Sequence, residues 1–265
     1  MKPFRIPLLN HHLEDPSAFT PEALVAAVRS ERLLQAEKVP EVCVLEFDGD
    51  LTDALVLREA ATPCKAWACF HTTMFTVQVD GVAFGLIPRT IGGPYAVLIA
   101  EQLRASGAKV VLGLTSAGRV APELSIPSIV VATSAVRDEG TSYHYLPAGD
   151  KVEANGALAQ LLATELNRLT LSVSQGMVWT TDAPYRETES QLAEHAAAGV
   201  LAVEMQAASL FAFGAARQVP VGVVAHVTNA VDHTGQPFDK GQEVSGELLL
   251  DALCRAGHRF ISASK

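Results

Sequence analysis

The sequence has no basic block: 29 acidic against 20 basic residues leave a formal charge of -9. That balance excludes a general affinity for nucleic acid or anionic membranes. No apolar run reaches the roughly 18 to 20 residues that a helix needs to cross a bilayer, so no membrane partner is expected. The four cysteines, Cys43, Cys64, Cys69 and Cys254, show no paired C-x-x-C spacing, and nowhere do His, Cys and carboxylates cluster with ligand spacing, so no metal site is expected. With no secretory or transit segment at its start, the chain is expected to be cytoplasmic with free thiols. Charge is scarce as well: 18% of residues are charged against 49% apolar. So little solvating surface predicts that part of it is covered by other subunits.

What is present alternates between two hydrophobic periods, and 265 residues suit one large α/β domain covering 1–265. FTPEALVAAVRSERL (19–33) predicts a helix with Thr20 as N-cap and Pro21 at its first position. VCVLEF (42–47) reads as a short buried strand ending at Asp48-Gly49-Asp50. Residues 66–88 hold two β-rich runs around Asp80-Gly81, a hairpin signal, and 93–107 is an amphipathic helix closed by Gly107. The near-continuous apolar runs at 109–118, 126–137, 176–183, 199–205 and 219–229 have the pattern of strands buried on both faces. Helices are expected over 153–168, 187–198, 206–217 and 245–258. There is no repeat, low-complexity stretch or linker.

Several of these strands run into small or hydroxylated residues: Thr90-Ile91-Gly92-Gly93, Thr115-Ser116-Ala117-Gly118, Thr180-Thr181-Asp182 and Thr228-Asn229. In open α/β sheets ligands collect beyond the carboxyl ends of strands. Glycines there admit a ligand to the backbone, and hydroxyls beside free N–H groups hold an anion or a sugar.

The order of Asp48-Gly49-Asp50, TIGGPYAVLIAEQL (90–103), TSAGRV (115–120), VRDEGTSYHYLP (136–147), TTDAPYRETE (180–189) and VEMQAASL (203–210) resembles the nucleoside phosphorylase family, which includes uridine phosphorylase and the hexameric purine nucleoside phosphorylases. The resemblance runs from His12 to Asn229. It implies a single α/β domain with a distorted mixed central sheet flanked by helices, assembled as a homodimer or hexamer with active sites at subunit boundaries. The implied reaction is reversible attack of phosphate on a nucleoside, giving ribose 1-phosphate and free base, with phosphate as co-substrate and no further cofactor.

The resemblance also implies roles for individual residues. Glu204, Met205 and Gln206 stand where the family has E-M-E at the ribose; Gln206 offers an amide where relatives have a carboxylate, so Glu204 and Gln206 become the catalytic candidates. His12 occupies the place from which the family sends a histidine to a neighbour's ribose. Gly49, Gly92 and Ser116 match the backbone and hydroxyl part of the phosphate site, but Asp53, Thr76 and Gly113 fall where arginines are expected. Arg89 and Arg119, next to the turns, are the candidates to replace them. For the base, Ala117, Gly118, Tyr185 and Thr228 are the candidates, while the uridine-reading positions fall at Thr188 and Ser190. His144 is read as ordering its loop, Asp182 as a loop acid bonding local N–H groups, and His226 as a core residue. Nucleoside phosphorolysis, uridine-like by motif style, leads; hydrolysis by water, which needs no phosphate arginines, and a non-catalytic nucleoside-binding role stand as alternatives.

Overall fold

The computed structural model of the chain describes residues 6–230 and 246–263. Among them are seven α-helices and ten strands, interspersed along the chain. The long apolar runs form strands β1 (Val42–Glu46), β4 (Val82–Pro88), β5 (Val110–Arg119), β6 (Ser128–Asp138), β8 (Val173–Thr181), β9 (Val200–Glu204) and β10 (Val221–Ala230). β2 (Ala61–Pro63), β3 (Phe75–Val79) and β7 (Lys151–Glu153) are shorter additions at the periphery.

The sheet is mixed. β4, β1, β5 and β10 pair in parallel in that order, as do β6, β8 and β9. The two parallel groups join through antiparallel β10–β6 and β5–β9 pairs. Five strands, β5, β10, β6, β8 and β9, therefore close into a ring of pairings, which is the distortion expected of this sheet. The parallel strands β1, β5 and β10 finish on the same side, so their carboxyl ends converge.

Helices cover both faces. Leu158 and Leu162 of α4 (Gly156–Leu166), with Leu250 and Leu253 of α7 (Gly246–Ala263), pack with Val44, Leu112 and Val224 in one core. Ile99 and Leu103 of α3 (Gly93–Ala105), with Leu210 and Phe213 of α6 (Ala207–Arg217), pack with Leu45, Val111 and Val223 in the other. α3 and α6 approach so closely that a Cβ on Gly93 would lie 2.1 Å from the Ser209 hydroxyl. α1 (Pro21–Glu31) starts where its sequence says, with the Thr20 hydroxyl accepting from Ala23 N at 3.2 Å. α5 (Glu189–Ala197) has a full capping box between Thr188 and Gln191.

The hairpin turns at Asp80-Gly81, but its first strand begins only at Phe75. Residues 66–74 are loop, held in part by Trp67 Nε1 donating to Thr72 O at 3.2 Å. Directly after β1 the chain enters α2 (Asp50–Leu57), where sequence reading ended the strand at Asp48-Gly49-Asp50 and assigned no helix. Asp50 and Asp53 in its first turn suit the positive end of the helix dipole. The helix expected at 245–258 runs from Gly246 to Ala263, and residue 245 lies outside the described residues.

Candidate active site

At the converging ends of β1, β5 and β10 lies a cavity of about 600 Å³, within the size range of small-molecule sites. β5 supplies Thr115, Ser116, Ala117 and Gly118; the segment after β9 supplies Glu204, Met205 and Gln206. Asn229 of β10 and the loop carrying Pro184, Tyr185 and Glu187 close it. The antiparallel register Gly118↔Val203 and Arg119↔Ala202 sets the two main walls opposite each other. Ser116 lies two residues before Gly118 on β5, and Met205 directly follows the last residue of β9.

Glu204 is buried at the end of β9 and its carboxylate is fully engaged. One oxygen accepts from the Thr180 hydroxyl at 2.5 Å. The other accepts from the backbone N–H groups of Gln206 at 2.7 Å and Ala207 at 2.9 Å, the first turn of α6. Thr180 in turn accepts from Ala208 N at 2.9 Å. Burial pushes the Glu204 pKa up to about 7, against the lowering effect of these donors. Its position makes it the anchor of the turn that presents Met205 and Gln206. Gln206, 1% exposed, accepts from Met205 N through its side-chain oxygen at 3.0 Å, which leaves its amide N–H groups for the cavity.

The loop after β1 is fixed by a second buried acid. Glu46 accepts from Gly49 N at 2.6 Å, from Thr52 N at 3.2 Å and from the Thr52 hydroxyl at 2.7 Å. Burial raises its pKa, and these bonds partly offset the rise. Gly49 sits at φ 96°, and any Cβ there would lie 2.7 Å from Arg89 Cγ. The Arg89 side chain thus crosses directly over Gly49, and its guanidinium pairs with Asp53. Arg89 itself has φ 59°, a left-handed conformation that costs energy for a non-glycine residue.

Between these elements stands Asp48. Its carboxylate accepts from Ser116 N at 3.1 Å and from the Ser116 hydroxyl at 2.9 Å, and it lines the cavity. His226, opposite Ser116 in the β5–β10 register, is depressed in pKa by burial and feels the Asp48 charge. Its Nε2 is buried without a partner, so it is not the satisfied core histidine that its strand suggests.

The remaining sequence candidates fall in different places. Gly92 caps the start of α3 at φ 88° with open space where a Cβ would be, next to the cavity-lining Ile91. Arg119 points its guanidinium at Leu124 O, 3.5 Å away, outside the cavity lining. Thr228 is buried, donates to the Asn229 side-chain oxygen at 3.2 Å and does not line the cavity. Tyr185 is 99% exposed at the rim. His12 is exposed ahead of α1 and does not line this chain's cavity. His144 instead stacks near His11, ring centres 4.0 Å apart, and Asp182 accepts from Gly140 N at 2.8 Å. Thr188 and Ser190 are tied into the cap of α5.

Sequence reading gave no role to Asp48, Glu187 or Asn229. Glu187 is half-buried in the cavity wall, and burial alone pushes its pKa up to about 7. The signal for Asp48 was present in the Asp48-Gly49-Asp50 turn, but nothing in it tells which of the two acids turns toward β5. Among the described residues no group of His, Cys, Asp and Glu is arranged to hold a metal ion. Nor is any described helix long and apolar enough to cross a membrane.

A cavity at the carboxyl ends of parallel strands, walled by hydroxyl, amide and carboxylate groups, defines an α/β enzyme domain with a small polar substrate. Residues 41–262 match the model of the phosphorylase superfamily, and the chain belongs to that family. It is an enzyme of the pentosyltransferase type. It is similar to the guanosine phosphorylase of Halorubrum lacusprofundi, with 31% identity over 174 residues, 64% of this chain and 69% of the relative. It is also similar to the uridine phosphorylase of Salmonella typhimurium, 25% identical over 179 residues covering 62% of this chain and 71% of the relative. With the uridine phosphorylase of Treponema pallidum it shares 29% identity over 145 residues, 51% and 56% of the two chains.

Proposed function

We propose that the chain is a nucleoside phosphorylase: it cleaves the N-glycosidic bond of a nucleoside with phosphate, releasing free base and ribose 1-phosphate, with no cofactor beyond phosphate itself. The observation that carries this reading is the placement of Ser116-Ala117-Gly118 opposite Glu204-Met205-Gln206 across one cavity. The first wall offers the Ser116 hydroxyl, bonded to Asp48, beside the small residues Ala117 and Gly118, and the second a thioether and an amide. Relatives named uridine phosphorylase and guanosine phosphorylase support the same chemistry. Uridine, the base suggested by motif style, and guanosine are the first two substrates to test.

In this reading Met205 packs on the sugar and the Gln206 amide donates to its hydroxyls. Glu204 holds both in place through the α6 turn. As the glycosidic bond opens, positive character builds on the ribose ring, so nearby acids stabilise the transition state more than the ground state. In this reading phosphate enters at Ser116, and the cation that answers it is Arg89, which lies against Gly49 outside the cavity lining and is paired with Asp53. To bind there it displaces Asp48 from Ser116 and draws Arg89 from Asp53, so phosphate affinity is weak. The scarcity of charge, 18% of residues against 49% apolar, supports a homo-oligomer, dimer or hexamer, and the reading takes the protein as cytoplasmic.

The test is incubation of the purified chain with uridine, guanosine, inosine and adenosine, with and without phosphate, following free base and ribose 1-phosphate. Phosphate-dependent formation of ribose 1-phosphate supports the reading. Its absence with every nucleoside rejects it.

A further inference from the structure

The cavity lining is acidic and has no cation to match. Asp48, Glu187 and Glu204 are on it, and among the described residues it holds no Lys, Arg or His. The hydrogen bonds to Asp48 and Glu204 come from hydroxyls and backbone N–H groups, which carry no formal charge. Burial alone pushes the Glu187 pKa up, and no neighbouring charge offsets it. The nearby basic groups are engaged or placed elsewhere. Arg89 is paired with Asp53, and Arg186, next to Glu187 in the chain, is outside the lining. His226 stands opposite Ser116, but burial favours its neutral form.

The loop that carries Glu187 also presents an aromatic ring. Tyr185 belongs to the short turn Pro184–Arg186 just before Glu187, and it stands almost fully exposed at the cavity rim. A carboxyl group and an open aromatic face on one short loop suit a planar cation, which is attracted by the charge and by the negative face of the ring. A neutral base has no charge to offer these groups, and it must leave as an anion, or take up a proton, within an acidic pocket. A base ring with a formal positive charge departs neutral.

We propose that the preferred substrate of this site is a ribonucleoside whose base ring carries a formal positive charge, an N7-alkylpurine or an N-ribosylpyridinium, bound through Glu187 and Tyr185. The inference rests on the reading of the chain as a nucleoside phosphorylase and names the substrate class of the same cavity. In the step, an oxygen of hydrogen phosphate bonds to C1′ of the ribose as the bond from C1′ to the ring nitrogen breaks. The electron pair of that bond goes to the charged ring and neutralises it, so the base needs no acid. The phosphate, now an ester, loses its remaining proton to solvent. The sum is cationic nucleoside plus hydrogen phosphate giving neutral base, ribose 1-phosphate and a proton, with no redox change.

A cationic base is the better leaving group on any enzyme, so the test reads binding before rate. Dissociation constants are measured at pH 7 by calorimetry, without phosphate, for two matched pairs. One is N7-methylguanosine against guanosine. The other is N-ribosyl-3-carbamoylpyridinium against its uncharged 1,4-dihydro form, which has nearly the same shape. The cation is expected to bind about tenfold tighter than its neutral partner, the scale of one charge contact in partly screened surroundings, and the pair with the larger difference distinguishes purine from pyridine. Glu187→Gln should remove most of that preference, whereas Glu187→Asp, which keeps the charge, should retain more of it. Tyr185→Leu should weaken the cations by about fivefold and the neutral partners less. Melting curves check that the variants fold. Turnover with added inorganic phosphate is then followed as free base and ribose 1-phosphate.

Equal affinity within both pairs overturns the proposal, as does a folded Glu187→Gln that keeps the full preference, or a cation that binds but is not phosphorolysed. If guanosine or uridine is phosphorolysed while neither cation binds more tightly, the phosphorylase reading stands and the substrate class falls. Absence of ribose 1-phosphate from every nucleoside, neutral or charged, rejects both.

Discussion

Thr180 and Glu204 are paired neighbours at the ends of β8 and β9, and the hydroxyl of one donates to the buried carboxylate of the other. That bond joins a parallel strand pair to the first turn of α6, because the same carboxylate accepts from Gln206 and Ala207. Glu204→Ala leaves a buried hydroxyl and two N–H groups without an acceptor. A loss of about 1–3 kcal/mol in unfolding free energy is expected, measured by denaturant titration; a change within error removes Glu204 as the anchor of this turn.

The raised pKa of Glu204 makes its contribution depend on pH. Between an ordinary 4.5 and about 7, the folded protein holds a proton here that the unfolded chain has released. Stability from this group is therefore greatest at the acid end of that window and falls as pH rises through it. Subtracting the stability-versus-pH curve of Glu204→Gln from that of wild type should expose this slope. A flat difference contradicts the assignment.

At the sugar, Gln206→Glu places a carboxylate beside the developing positive charge and should raise kcat for base release. Gln206→Ala should cost about 1–3 kcal/mol of transition-state stabilisation in kcat/KM. Gln206 is not at the sugar if steady-state kinetics of both variants match wild type.

For the acceptor, Asp53 and Arg89 give opposite expectations. Asp53→Ala frees the guanidinium and should lower the KM for phosphate. Arg89→Ala should raise it by about tenfold or more, the loss of one charge-assisted bond, with little change in the KM for nucleoside. Equal effects on both substrates would place the pair outside the phosphate path.

Glu187 supplies a kinetic signature. The departing base gains negative charge, so a neutral carboxyl in the wall can donate to it while a carboxylate repels it. With burial setting its pKa at about 7, kcat/KM should decline as pH rises through neutrality. Glu187→Gln should flatten that limb; persistence of the decline in the variant assigns it to another group.

Assembly is checked by sedimentation: a homodimer or hexamer is expected at micromolar concentration. A species of 28.1 kDa alone would mean that the apolar composition is not covered by a second copy.

The local features of the fold were legible in the sequence because they depend on neighbours along the chain. The Thr20 cap is spelled out within four residues of its helix, and the Asp80-Gly81 turn and the five apolar runs are equally self-contained. The resemblance to the nucleoside phosphorylase family implied a site containing Ser116, Ala117, Gly118, Glu204, Met205 and Gln206, and these six line one cavity. What the sequence left open were partnerships between side chains far apart. Asp48 reaches Ser116 across 68 positions and Arg89 reaches Asp53 across 36. Each choice follows from strand order and from the backbone direction at Gly49 and Arg89, both with positive φ. Periodicity reports which side of an element is apolar, whereas the partner of a charge depends on which elements the closed ring of strands brings to one edge. The tertiary structure therefore decided that the Ser116 donors at the cavity already meet the Asp48 carboxylate.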